Sequence, residues 1–385
     1  MSKSKKNVKN DINIKIVDQS IIDDSYNNYL ILHFYGSDVN YVILNTIRRV
    51  IMELVPTYAF DNSNIEITKN TSIYNNDYMR LRLSHFPIIG IDNPLETIYQ
   101  SANLEYEANI STFDKKIEDI NIIAEKEQAY KLEKAQNFII HINVKNTSSN
   151  VLAVTTSHPD IRYYYKTKLI ESPYKQPLLI IKLKAGEEFC GTLTSTLNIG
   201  LKNANYMPNA VCAYAEENEN SYRLNIESLK QIPETEIIIR ACHIIIIKLK
   251  NFLNIFSEKI KQYSSEKIVD EYNLDNKQII TQSESDSTAE SAIRNTSDDI
   301  LEQHRIKGMI SIENESHTFG NLLSKLLQDH PLILFAGYKI EHLLIKELTI
   351  GYKTDGTDII IILEEIINKA IYIFDEIKNK IEKLI

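Results

Sequence analysis

HTFGNLLSKLLQDHP, residues 317–331, repeats the plan of NYVILNTIRRVIMELVP, residues 40–56, far upstream in the same chain. In the upstream copy Ile43, Ile47, Val50, Ile51 and Leu54 fall on one helical face; downstream the same face carries Phe319, Leu322, Leu323, Leu326 and Leu327. Each helix is expected to stop before a proline, Pro56 or Pro331, because the residue preceding proline is driven out of the helical region. Asp38 or Asn40 is the candidate cap of the first helix and His317-Thr318 of the second. Arg48 and Arg49 lie on the polar face of the first. On periodicity alone, two ordinary amphipathic helices explain the pattern equally well. An amphipathic helix on a small sheet, however, covers only one face, and two such halves in one chain suggest an internal pseudo-dimer.

The flanking segments follow a common order. Strand-like INIKI (12–16) and YLILHF (29–34) precede the first helix, and GMISIEN (308–314) precedes the second. Further strands are read at IEIT (65–68), YMRLRLS (78–84) and KELTIGYKTDG (346–356), the last ending in an Asp355-Gly356 turn. Each part closes with a long helix, about 234–263 and 358–385, with Thr235 or Thr357 as cap candidates. The final helix carries an apolar stripe through Leu363, Ile366, Ile367, Ala370, Phe374, Ile377, Ile381 and Leu384. Within the first part, between 88 and about 185, lies a long insertion, in which 139–156 and 177–189 read as β-rich and EKEQAYKLEKA (125–135) as a short surface helix or loop. Residues 264–302 hold too few large apolar side chains to order themselves. A tether of that length spans roughly 35 Å, enough for two small domains to meet.

Composition narrows the function. The chain has 385 residues, 43% hydrophobic and 25% charged, enough for a real core without disulfides. Cys190, Cys212 and Cys242 are scattered, form no CxxC pair, and read as buried thiols in a reducing compartment. The polar N-terminus and the short aliphatic runs predict a soluble intracellular protein with no membrane association. A net charge of −9 favours protein partners over direct grip on nucleic acid. No GxxxxGK[ST] loop, GxSxG elbow, HExxH pair or convergent carboxylate cluster occurs; surface acids such as Glu187-Glu188 are the weak remaining basis for an enzyme.

The residues around the helices decide between the two readings. Asn45, Ile47, Arg48, Arg49, Pro56, Thr57, Ala59, Asn70, Thr71, Ser72, Arg82, Leu83, Phe86 and Pro87 resemble the signature of the alpha-type subunits of cellular RNA polymerases, with Leu81 standing where that family usually has histidine. NIGLKNANYMP (198–208) and the lead into the helix at 234 resemble the family's return to its dimerisation domain. His317, Thr318, Phe319, Gly320, Asn321, Leu322 and Leu323, then Phe335, Ala336, Gly337 and Tyr338, resemble the small partner subunit, the eleventh of eukaryotic RNA polymerase II. The chain thus looks like third-type and eleventh-type subunits of a multisubunit DNA-directed RNA polymerase fused head to tail, as in large cytoplasmic DNA viruses.

That resemblance implies an α+β fold of two alpha-like dimerisation halves forming an intramolecular pseudo-heterodimer, with a β-rich domain inserted in the first. The expected segments are 1–87 and 177–263 for the first half, 88–176 for the insertion, 264–305 for a flexible linker and 306–385 for the second half. It implies a non-catalytic platform that assembles the two largest polymerase subunits, chiefly the second-largest, together with small subunits, touching DNA and RNA only through the complex. Of the motif residues, Asn45, Ile47, Arg48, Arg49, Pro56, Asn70, Thr71, Ser72, Arg82 and Pro87, with His317, Thr318, Phe319, Gly320, Asn321, Leu322, Leu323, Phe335, Ala336, Gly337 and Tyr338, would form the subunit interfaces, with Arg48 and Arg49 facing the second-largest subunit. No cofactor is expected: residues 88–185 hold no cysteine for the four-thiolate zinc site of some relatives, and catalytic magnesium would sit in the large subunit. The expected location is host cytoplasm, viral factory and virion. The competing account is a stand-alone interaction module with a coiled-coil-like C-terminal helix.

Overall fold

The computed structural model describes residues 12–19, 28–89, 91–101, 104–105, 138–265, 306–313, 315–342 and 345–384. Apart from short 3-10 turns, its elements run β1 (Asn13–Gln19), β2 (Asn28–Tyr35), α1 (Tyr41–Leu54), β3 (Thr57–Asn70), α2 (Asn76–Ser84), β4 (Phe138–Lys145), β5 (Leu152–Thr155), β6 (Ile161–Tyr165), β7 (Lys168–Ile170), β8 (Leu179–Leu183), β9 (Glu188–Asn198), β10 (Asn209–Asn218), β11 (Ser221–Ser228), α3 (Glu234–Ser265), β12 (Lys307–Glu313), α4 (His317–Gln328), β13 (Ile333–His342), β14 (Ile345–Thr354) and α5 (Ile359–Glu382). By internal contacts they divide into one unit of residues 1–244 and 376–385 and a second of residues 245–375.

Alternation builds the first sheet of the first unit. In β2 and β11 every second side chain is buried, and the antiparallel register sets Leu30 against Ile226, Leu32 against Leu224 and Phe34 against Tyr222. The four-stranded order is β1-β2-β11-β10, and α1 packs on β10 and β11. Asn40 caps α1, its Oδ1 accepting the Ile43 N–H at 3.0 Å. The other end of α1 is closed by Gly200 and Leu201. The Leu201 N–H donates to the Glu53 carbonyl at 2.9 Å, and a Cβ on Gly200 would lie 1.9 Å from the Met52 carbonyl oxygen, so only glycine fits there.

The same unit holds a five-stranded antiparallel sheet, β3-β9-β4-β6-β7, and the pair β5-β8. One core joins Phe60 and Ile65 of β3, Met79 and Leu83 of α2, Phe138 and Ile140 of β4, Val154 of β5, Ile180 and Leu183 of β8, and Phe189 and Leu193 of β9. The segment boundaries read at 87/88 and 176/177 therefore cut through a single sheet and its core. β3 and β9 belong with the inserted strands because their apolar faces are covered there. The β-rich run at 139–156 also splits: β4 joins the larger sheet and β5 pairs with β8.

Three local expectations are corrected. YMRLRLS forms the helix α2, not a strand: Asn75 caps it, its Oδ1 accepting the Tyr78 N–H at 2.8 Å, and of its apolar side chains Met79 and Leu83, one turn apart, are the buried ones. The cap before α4 is Ser316, without a side-chain hydrogen bond, in place of His317-Thr318. Neither Thr235 nor Thr357 caps a closing helix. α3 is already helical at Glu234; Asp358 accepts the Ile360 N–H at 3.0 Å, while the Thr357 hydroxyl donates to Asp355 at 2.9 Å. Residues 264 and 265 continue α3. The rest of the expected linker and the segment 125–135 lie outside the described residues.

In the second unit β12-β14-β13 form an antiparallel sheet, on which α4 packs against β13 and β14. Gly320 allows the approach: a Cβ there would meet Leu348 at 2.6 Å and Tyr338 at 2.7 Å. α5 buries Leu363, Ile366, Ile367, Ala370, Phe374, Ile377 and Ile381, but Leu384, the last residue of the stripe expected from spacing, is exposed past the end of the helix. The two closing helices are each divided by the units: α3 begins in the first and continues in the second from Ile245, and α5 begins in the second and ends in the first from Glu376.

Candidate subunit interface

The polar face of α1 is organised by its own side chains. Arg48 donates from Nε and Nη2 to Asn45 Oδ1 at 3.1 and 2.9 Å, and its Nη1 lies 3.4 Å from Met52 Sδ. Arg49 pairs with Glu53 one turn on. Burial raises the Glu53 carboxyl above its ordinary range despite the opposing charges of Arg49 and Arg48. The Arg49 Nε is buried without a hydrogen-bond partner among the described residues. Both guanidinium groups are part-exposed and held at fixed heights on a rigid helix, an arrangement suited to carboxylates on another protein. Ile47, by contrast, is fully buried in the core.

A second polar feature is the turn after β3. Asn70 Oδ1 accepts from the Ser72 N–H at 3.0 Å and the Ser72 hydroxyl at 2.7 Å, and Asn70 Nδ2 donates to the Tyr74 carbonyl at 2.8 Å. Thr71 is bound to Glu188, the Glu188 N–H donating to Thr71 Oγ1 at 2.7 Å. Beside the turn Ile73, Tyr74, Tyr78 and Leu81 are exposed, with Tyr74 and Tyr78 stacked at 5.3 Å. Glu187 and Glu188 do not form a catalytic pair: Glu187 accepts the Lys184 N–H at 2.7 Å, and Glu188 pairs with Lys69 at 2.8 Å, which lowers its pKa.

Other motif residues do internal work. Arg82 donates to the Ile180 and Leu179 carbonyls, both at 2.9 Å, tying α2 to β8. Pro56 is buried, its carbonyl accepting from Asn93 Nδ2 at 3.1 Å. Pro87 is exposed, its carbonyl accepting the Tyr174 hydroxyl at 2.9 Å. A surface pocket of about 300 Å3 lies between Thr57–Ala59, Ser84–Ile88, Ala204, Asn205, Met207, Pro208, Leu229 and Gln231.

In the second unit Phe319, Gly320, Leu322, Leu323 and Ala336 are buried. His317 is exposed and meets the Tyr338 ring edge-on at 5.8 Å. The Thr318 hydroxyl is buried without a partner among the described residues, and Asn321 is half-buried. Gly337 pairs with Gly351 across the sheet, and Phe335 points outward, 62% exposed.

A network absent from the motifs joins α3 to the segment after α2. Arg240, 4% exposed, donates to Glu236 at 2.9 Å, to Asn93 Oδ1 at 3.1 Å and to the Asn93 carbonyl at 2.6 Å. Asn93 donates to Gln231 at 3.2 Å, and Gln231 exchanges two hydrogen bonds with the Tyr58 backbone, at 2.7 and 2.9 Å. The signal was one arginine inside the aliphatic run EIIIRACHIIII.

Burial pushes the Cys212 thiol up to about 12 against the nearby Arg48 charge, which makes it unreactive. Among the described residues no group of three or more His, Cys, Asp or Glu is arranged to hold a metal ion, and no helix is long and apolar enough to cross a membrane.

Comparison with known proteins adds the family. Residues 34–249 and, separately, residues 307–380 match models of the RNA polymerase Rpb3/Rpb11 dimerisation domain. A proposed DNA-directed RNA polymerase subunit of Acanthamoeba polyphaga mimivirus is 25% identical over 401 aligned positions, covering 100% of both chains. The DNA-directed RNA polymerase RPB3-11 homologue of African swine fever virus (isolate Tick/Malawi/Lil 20-1/1983) is 34% identical over 87 residues, 22% of this chain and 24% of that protein. DNA-directed RNA polymerase subunit Rpo11 of Sulfolobus acidocaldarius is 39% identical over 70 residues, 18% of this chain and 74% of that one.

Proposed function

Because the chain belongs to the RNA polymerase Rpb3/Rpb11 dimerisation family and carries that family's domain twice, we propose that it is the assembly platform of a DNA-dependent RNA polymerase. It is a fused Rpb3/Rpb11-type subunit, of the viral kind, and a non-catalytic member of the nucleotidyltransferase complex. In this proposal its two halves close on each other as an intramolecular pseudo-heterodimer, and the completed pair grips the two largest subunits and recruits small ones. DNA and RNA are reached through them. Neither a metal nor a cofactor takes part in that task, and the work is done in the host cytoplasm or viral factory.

The observation that carries the reading is the duplicated half together with the division of its closing helices. Each half sets an amphipathic helix on an antiparallel sheet, and each closing helix starts in one unit and ends in the other. That is what two halves completing each other's core would produce. The coiled-coil alternative is not favoured, because the apolar stripe of α5 is already buried within this chain. On α1 the Arg48-Arg49 face is the surface we assign to the second-largest subunit, with the Asn70–Ser72 turn as a second contact.

Affinity purification of the tagged chain from cells making the polymerase tests this. The expected outcome is stoichiometric recovery of two large subunits with polymerase activity. Reversing both charges, Arg48→Glu with Arg49→Glu, should deplete the second-largest subunit while the purified variant melts near the parent. Recovery of the chain alone would defeat the platform reading; undiminished recovery with the double variant would remove α1 from the interface.

A further inference from the structure

We propose that the outer face of the sheet β12-β14-β13 pairs with the same face of a second copy of this chain. The inference goes beyond the platform reading and does not depend on it.

Alternation defines the face. Ile310 of β12 and Leu348, Ile350 and Tyr352 of β14 are buried on the inner side, where α4 packs, so the residues between them point to the other side. There the antiparallel register sets Lys307 directly opposite Lys353, and Glu313 directly opposite Glu347. Lys307, Glu313 and Glu347 are exposed and Lys353 is half-buried; Glu347 accepts a hydrogen bond from the Ser311 hydroxyl. Like charges in directly opposed positions destabilise a sheet. Two such pairs, of opposite sign, stand at the two ends of the same two strands. Six positions of β14 separate them, about 20 Å at the rise of a strand.

This pattern is complementary to itself. Ile310 and Ile350 are paired and lie midway, three positions from each charge. A two-fold axis crossing the strands over that pair sets Lys307 against Glu313 of the second copy and Lys353 against its Glu347. By symmetry each contact occurs twice, and every like-charge pair gains neighbours of opposite sign. A patch that fits itself in this way is what a two-fold contact between identical chains requires. The same axis sets Gly351 against Thr349 of the second copy. A Cβ on Gly351 would have nothing within 4 Å, so the floor of the face is open where that threonine arrives. Met309 and Phe335, 74% and 62% exposed on the same face, would lose water on pairing. Three strands of this length offer a footprint of roughly 300 Å2 per copy, against roughly 800 Å2 per partner in a stable complex. The contact is accordingly reversible, and its selectivity lies in the charges.

The test is sedimentation equilibrium of the full chain at rising concentration. The 44.4 kDa chain is expected in monomer–dimer equilibrium. High salt should weaken the dimer at least about tenfold, the scale for four part-exposed ion pairs. An acid-faced variant, Lys307→Glu with Lys353→Glu, and a base-faced variant, Glu313→Lys with Glu347→Lys, should each be monomeric alone and form a dimer when mixed. Gly351→Gln, which adds a side chain where the face is open, should fold and self-associate at least tenfold more weakly than the parent. Dimers that persist in both charge variants would be held elsewhere and would overturn the proposal, as would a mixture that stays monomeric. If either charge variant fails to fold, Gly351→Gln decides, and self-association equal to the parent's would count against the face. A parent that stays monomeric at every concentration also overturns the proposal; loss of another subunit from polymerase purified with Gly351→Gln would then give the face to that subunit. None of these outcomes bears on the platform reading, which the affinity purification judges separately.

Discussion

Arg240 is the residue on which the first unit turns. Its guanidinium fastens α3 to the Asn93 backbone, and through Asn93 and Gln231 to the start of β3. Arg240→Met keeps the aliphatic length and removes every donor. It should cost about 3 kcal/mol, the scale for breaking a buried charged network, read as a lower denaturation midpoint at unchanged slope. A loss below about 0.5 kcal/mol, the range of an ordinary surface change, would mean that the network contributes nothing net. This network also marks the limit of what the sequence disclosed. The motif residues Asn45, Arg48 and Arg49 were identifiable because they lie together on one helix. Asn93, Gln231 and Arg240 are distant along the chain and meet only through the fold. Arg82 was legible as important and misleading as to why, since a motif does not reveal whether a guanidinium faces a partner or the carbonyls of its own β8.

Among the elements, long amphipathic helices were the most legible, since their apolar spacing survives in any context. α2 was not, and the reason is visible in YMRLRLS. Met79, Leu81 and Leu83 alternate as in a strand, yet the side chains at 79 and 83 also lie one helical turn apart, and Asn75 supplies the cap that decides between them. The readings separate at Leu81, which is 53% exposed while Leu83 is 1% exposed. Leu81→Ala should change stability by no more than about 0.5 kcal/mol, whereas Leu83→Ala should cost about 2–5 kcal/mol; similar losses at both sites would restore the strand. The hairpin β10–β11 was overlooked although its signal is present. Tyr222, Leu224 and Ile226 alternate, and Asn220 turns the chain with φ of 54°.

At the scale of the molecule, each closing helix begins in one unit and ends in the other, and a helix forms and melts cooperatively along its length. Calorimetry on the full chain should therefore give one transition, and a calorimetric enthalpy close to the van't Hoff value. Two resolved peaks, or a transition that one probe sees before another, would show that the shared helices do not couple the units. The duplicated plan itself was legible because two helices with matched spacing stand in one sequence. The division of α3 and α5 was not, because it depends on where each helix finds its contacts, and spacing carries no such information.

The placement of residues 376–385 with residues 1–244 has a consequence for how the protein is made. Ile377 and Ile381, 1% and 0% exposed, belong to a unit whose first strands leave the ribosome hundreds of codons earlier, and Lys380 donates to the Ile12 carbonyl. During translation at about 5–20 residues per second, the early strands must wait many seconds for the helix that covers them. The nascent chain thus carries an unfinished apolar surface until residue 381 has been released from the exit tunnel, and the time it spends in that state is set by the speed of decoding.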